Sequence, residues 1–214
     1  MNWEPNFHCS HARRIGQMGD GGKWVCDPYR LNSRLDCLVY SVGSSGDFGF
    51  EVDMKKTMPH CEIHTFDQNQ YSCPNGICIF HRITFGNGIH PPRSKNWTTI
   101  IQELNHTQRK IDILKIDIEG GEYSFFPTLM QSSTRFLPQQ ILVELHPKRN
   151  CDSDRERFEK IVTEISKELQ NAHSFCTSTV AVWPNAHAGL YLYIYTMATA
   201  IILIILSLLS LLLL

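Results

Sequence analysis

The sequence has almost no net charge: 20 Lys and Arg stand against 21 Asp and Glu, a formal −1. That balance gives no electrostatic footprint for nucleic acid, and no nucleic-acid partner is expected. The 13 Gly and 10 Pro are too few for a collagen-like or low-complexity chain. No G-x-G-x-x-G run occurs, which disfavours a nicotinamide-dependent oxidoreductase. Cys73 and Cys78 form the one close cysteine pair, and no second pair completes a tetrahedral zinc set. The first residues, MNWEPNFHCSHARRIG, lack the apolar core of a signal peptide. After Glu168 there is no Asp, Glu, Lys or Arg.

What is present is 214 residues, 43% of them hydrophobic, enough for one packed domain with an appendage. The charge-free stretch ends in MATAIILIILSLLSLLLL, residues 197–214. About 20 apolar residues at 1.5 Å each cross a bilayer core. A C-terminal transmembrane helix is therefore expected over 197–214, starting between 191 and 197, in a single-pass membrane protein. A glycolipid-anchor signal around Ala186, Ala188 or Gly189 is the other reading of the tail. No Lys or Arg flanks the segment, so the side of the membrane stays open. An even cysteine count and the sequons at Asn96 and Asn105 suit an oxidising lumen, whereas a tail anchor without a leader keeps the domain cytosolic.

Residues 1–36 read as an irregular, turn-rich N-terminal segment, and residues 37–189, or as far as 196, as the main domain. CLVYSVG (37–43) is a continuous apolar run closed by glycine, as in a buried parallel strand. Further strands are expected at 61–67, 77–86, 111–119 and 140–146, with a hairpin from Phe175–Trp183 and Leu190–Thr196. Helices are expected after Gly46, at Trp97–Leu104 and from the capping box at Ser153. The alternation predicts an α/β domain with a mostly parallel sheet and its ligand at the carboxyl strand ends.

Residues just after the strands are thus the candidates. Gly43-Ser44-Ser45-Gly46 follows the first strand, where glycine lets a ligand approach the backbone. Asp67 closes the second, where an acid can take both ribose hydroxyls of a nucleoside. The bland reading is a turn and a capping Asp. Period-two geometry puts Asp117 and Glu119 on one side of the fourth strand, and Glu144 and His146 on one side of the fifth. These four are expected to converge, as a base and substrate cluster or as a satisfied structural network. Their donor types also permit a divalent ion; the reading adopted here assigns no metal. In DGGKWVC (20–26), Asp20 and Lys23 could close over a ligand, or Trp24 could simply cover the sheet edge behind a Gly21–Gly22 turn.

LKIDIEGGEYSF (114–125) resembles the K-I-D-hydrophobic-E-G-x-E motif of FkbM-type S-adenosylmethionine-dependent methyltransferases. Together with DGGKWVC, VYSVGSSGDFGFEVDM (39–54), IHTFD (63–67) and LVELH (142–146), it is similar to the methyltransferase-like protein 24 family over roughly residues 9–170. The resemblance implies a Rossmann-like methyltransferase sheet with helices on both faces, and S-adenosylmethionine as cofactor. It implies that Gly43, Ser44 and Gly46 lie along the cofactor's methionine and ribose portions. Asp67 would take the ribose hydroxyls, Ile83–Thr84 would approach the adenine, and Asp117 would stand near the reactive methyl. Asp117, Glu119, Glu144 or His146 would be the base. The expected function is methyl transfer to an unknown acceptor, with an oxygen nucleophile suggested by the FkbM-type relatives. The alternative is a membrane-anchored binding module that keeps the fold without turnover.

Overall fold

The computed structural model describes residues 9, 11–18, 20–89, 94–133, 136–146, 160, 163, 179–184 and 190–195. Five parallel strands form most of the sheet: β3 (Leu38–Val42), β4 (Glu62–Asp67), β5 (Ile79–Arg82), β6 (Ile113–Ile116) and β7 (Gln140–Leu145). A hairpin of β8 (Thr179–Pro184) and β9 (Leu190–Tyr195) completes it, with β9 antiparallel to β7. The order is β5-β4-β3-β6-β7-β9-β8. The chain therefore builds outward from β3 to β5 and crosses back to β6. That reversal places a topological switch between β3 and β6, where open α/β sheets hold ligands.

The continuous apolar runs are explained by burial on both faces. On β3, Leu38, Tyr40 and Val42 join one core with Trp97, Ile100 and Ile101 of α3 (Trp97–Glu103) and Phe125, Phe126 and Leu129 of α4 (Glu122–Met130). Cys37 and Val39 join the other, against Leu31 of α1 (Pro28–Asn32) and Phe50 and Met54 of α2 (Gly49–Thr57). Helices thus cover both faces, as the α/β reading predicts.

Four expectations change. Residues 12–26 are not irregular: β1 (Ala12–Ile15) and β2 (Lys23–Cys26) form an antiparallel hairpin packed on the second core through Ile15 and Val25. Four-residue strands around a glycine-rich turn are too short to show alternation. The strand expected at 111–119 stops at Ile116, so Asp117 and Glu119 lie beyond it and strand alternation does not orient them. Glu119 takes a left-handed φ of 52°. Helix α4 was not foreseen, because its Gly120-Gly121 entry and internal Pro127 both read as breakers. Lastly, Tyr191–Tyr195 are sheet residues of β9, so no membrane span starts at 191. The expected transmembrane segment 197–214, the Ser153 helix start and the alternative anchor signal lie outside the described residues. Among the described residues no helix is long and apolar enough to cross a membrane.

Among the described residues, disulfides join Cys9 to Cys26, Cys37 to Cys61 and Cys73 to Cys78. Cys9 is tied to β2, Cys37 and Cys61 link the residues that precede β3 and β4, and Cys73 and Cys78 close the loop before β5.

Candidate active site

The loop after β3 is built around one close approach. Gly43 has a φ of 82°, and a Cβ there would lie 1.6 Å from the Asp117 carbonyl oxygen. Only glycine allows β3 and the chain leaving β6 to come this near. The contact is fixed on both sides: the Gly43 N–H donates to the Phe66 carbonyl at 2.8 Å, and the Asp117 N–H to Val42 at 3.0 Å. The buried Lys115 ammonium donates to the Gly43 carbonyl at 3.1 Å. Burial pushes the pKa of Lys115 down.

Asp67 ends β4 and clamps this loop. Its Oδ2 accepts the N–H groups of Ser44 (3.1 Å) and Ser45 (2.9 Å), and its Oδ1 accepts that of Asn69 (2.9 Å). The sequence allows either a ribose acceptor or a capping Asp, and these amide bonds are of the capping kind. A carboxylate has about four lone-pair sites, so three amides leave acceptor capacity on a residue that lines the cleft. That cleft, of about 900 Å³, is lined at one end by Gly43, Ser44, Asp67, Ile83 and Thr84. Gly46 stays out of the lining; its φ of 83° and the Tyr71 ring above it leave no room for a side chain.

The other end of the cleft gathers Asp117, Glu119, Glu144 and His146. The element that joins them was misjudged in the sequence. Lys23 of β2 reaches under the sheet edge, 1% exposed, with its ammonium 2.8 Å from Glu144 Oε2 and 3.3 Å from Asp117 Oδ2. The hairpin that carries it is docked by Gln140, whose side-chain amide donates to the Cys26 carbonyl at 2.7 Å and accepts the Cys26 N–H at 3.0 Å. Asp20 and Gly21 of the same hairpin line the cleft, while Trp24 packs against the second core. Trp24 therefore packs on a face of the sheet and not over its edge. A lysine set between a Gly21–Gly22 turn and the apolar Trp24-Val25-Cys26 is the available signal.

His146, just past β7, completes the cluster. Its Nδ1 lies 3.2 Å from Glu122 Oε1, and its Nε2 lies 3.8 Å from Asp117 and 3.7 Å from Glu119. Glu122 is fully buried at the start of α4 and was not among the sequence candidates; it also accepts the Ile118 N–H at 3.0 Å. The hydrogen bond to Glu122, opposed by burial and reinforced by the Glu119 and Asp117 charges, raises the His146 pKa to about 9. At neutral pH such a ring carries both protons and donates hydrogen bonds. Asp117 lies between two cations, Lys23 and His146. Glu119, its side chain 85% exposed at the rim, is the least constrained carboxylate. Two carboxylate groupings here have ligand spacing for a metal, Asp117/Glu119/His146 and Asp20/Asp117/Glu144. In both, a protein cation already compensates the charge.

A family described as a methyltransferase domain matches residues 1–179. The chain belongs to this methyltransferase-domain family. Its relatives include the human "Probable methyltransferase-like protein 24", 30% identical over 123 residues, which are 51% of this chain and 32% of that protein. This methyltransferase-domain chain thus aligns with about a third of the length of that relative. Among solved structures, the Methanococcus jannaschii fibrillarin pre-rRNA processing protein matches 89% of this chain and 85% of its own, with 10% identity and a TM-score of 0.45. An O-methyltransferase from Bacillus cereus in complex with SAH matches 78% of each chain at 9% identity and a TM-score of 0.44.

Proposed function

We propose that this chain is an S-adenosylmethionine-dependent methyltransferase acting on an oxygen nucleophile of an unidentified acceptor. The observation that carries the reading is one cleft with two unlike ends at the sheet's switch point. One end is a glycine loop clamped by Asp67; the other is a carboxylate cluster compensated by buried Lys23 and half-buried His146. The residues present suit the cofactor: the Gly43 loop offers backbone without a Cβ, and Asp67 retains acceptor capacity. Gly43, Ser44 and Asp67 would hold it. When bound, the cofactor supplies an electrophilic methyl group.

Methyl transfer asks mainly for alignment and for a place to put the acceptor's proton. Lys23 and His146 fix the Asp117 carboxylate in one orientation, so Asp117 is proposed to orient the acceptor. Glu119 is the proposed proton acceptor, being the carboxylate not locked between cations. The His146 imidazolium is proposed to offset negative charge that develops on the nucleophile. The terminal segment 197–214 is proposed to anchor the chain in a membrane, a reading supported by its length and lack of charge.

Calorimetric titration of the full chain with S-adenosylmethionine and S-adenosylhomocysteine tests the cofactor reading. Binding of both with one site is expected; a folded chain that binds neither sinks it. One observation favours the second reading, a module that binds without turnover: Lys23 ties up two of the candidate carboxylates. That module would bind both ligands yet transfer no labelled methyl to any acceptor fraction.

A further inference from the structure

At the opposite end of β4 from Asp67, the sheet carries a second polar cluster that the proposed reaction does not use. Tyr40, Glu62, His64 and His81 come from three adjacent strands, and His106 and Arg109 from the turn after α3. His64 and His106 are 5% and 6% exposed, on the face that otherwise packs Phe66 and Trp97. Burying this many hydrogen-bonding groups in an apolar core is costly unless they serve one another or a ligand.

Their arrangement has a centre. The Nδ1 of His106 is 2.6 Å from the Tyr40 hydroxyl, and the Nδ1 of His64 is 2.8 Å from His81 Nε2. Both rings are thereby held from behind, and both turn Nε2 inward. His64 Nε2 lies 2.5 Å from Glu62 Oε1. His106 Nε2 lies 3.5 Å from Arg109 Nη1, which is also 2.9 Å from Glu62 Oε2. Glu62, His64 and His106 each bring one ligand atom to within 4.8 Å of the other two. Two imidazoles and a carboxylate are a zinc-type donor set, and a ring nitrogen held from behind is how metal-ligating histidines are oriented. A cation already marks the position. It is the Arg109 guanidinium, whose side chain is 31% exposed.

We propose that Glu62, His64 and His106 form a binding site for a zinc-class divalent ion, with Arg109 as the protein's own cation that the metal displaces. The ion would pin the turn after α3 to β4, roughly 16 Å along the strand from the proposed cofactor end. The site stands independently of the methyltransferase reading.

The full chain, stripped with a chelator and kept free of thiols, is titrated with Co²⁺ and then with Zn²⁺ in competition. One equivalent of Co²⁺ giving a tetrahedral visible band, displaced by Zn²⁺, is expected, with a higher melting temperature in Zn²⁺. His64→Gln and His106→Gln should each weaken binding at least 100-fold, with folding checked by circular dichroism. Asp117→Asn, in the other possible metal grouping, should leave the band in place. Arg109→Gln should tighten binding at least tenfold, an effect that a purely structural ion pair would not produce. The proposal is overturned by any of three results: no band and no melting shift at 100 µM metal, a band surviving both histidine changes, or an Arg109→Gln chain that binds no more tightly.

Discussion

At the residue scale, the site is set by charges that the fold buries in pairs. His146 illustrates the sign. Its folded pKa of about 9 lies above the ordinary 6.5, so its contribution to stability is fully present below pH 6.5 and is lost as pH rises through 9. A ring-proton NMR titration should show His146 titrating near 9, and Glu122→Gln should bring it down toward 6.5 by removing the largest cause. A wild-type midpoint at 6.5 would refute the ion pair. His81 and His106 show the opposite sign. Burial, then the neighbouring His64, pushes both down to about 4, so in the metal-free chain they cost stability as pH falls from 6.5 to 4. Lys23 is the third case. Lys23→Met leaves Glu144 and Asp117 without their cation, and breaking a buried pair in this way costs about 3–5 kcal/mol. Lys23→Met with Glu144→Gln should recover part of that loss in denaturant unfolding. If the single change costs under about 1 kcal/mol, Lys23 does not hold the cluster together.

At the element scale, what was legible depended on length and periodicity. The run at 37–43 is apolar on both faces, those at 61–67 and 140–146 are apolar in the middle with polar residues at their ends, and the glycine that closes the first of them marks the switch point. The convergence of Asp117, Glu119, Glu144 and His146 was also legible from strand ends. Its correct geometry was not, because β6 stops at Ile116 and tertiary contacts from Lys23 and Glu122 orient the groups. Neither partner follows the carboxyl end of a strand: Lys23 opens a four-residue strand, and Glu122 opens a helix disguised by Gly120, Gly121 and Pro127. The even cysteine count suited disulfides but could not identify partners. Cys37 and Cys61 bracket α2, 24 positions apart, and both are buried. Closing a loop of that length restricts the unfolded chain by roughly 3–4 kcal/mol. Replacing both with alanine should lower unfolding free energy by about that amount; equal stability in the oxidised wild type and the variant would show that the bond is not formed in solution.

At the scale of the whole molecule, the sheet closes late in the sequence. The family match ends at residue 179, where β8 begins, yet β9 is the strand that touches β7. Six registered pairs, from Gln140 with Tyr195 to Leu145 with Leu190, cover the β7 edge, and β8 reaches the sheet only through β9. Pro184 is tolerated because β8 is the outermost strand and needs no donor on its free side. A chain cut at 189 keeps every candidate site residue but strips β7 of its neighbour. It leaves a parallel-sheet edge of Ile141, Leu142 and Val143 open, the kind of edge that recruits other chains. Such a chain should aggregate or melt far below the parent. A chain ending at 196 retains β9 and should melt like the full protein. The same pair of cuts separates the sheet from the proposed anchor: if 197–214 tethers the protein, the 196-residue chain leaves carbonate-washed membranes while remaining folded. Persistence in the membrane pellet of a well-folded 196-residue chain would move the attachment to the domain itself, and a stable 189-residue chain would show that β7 does not need β9.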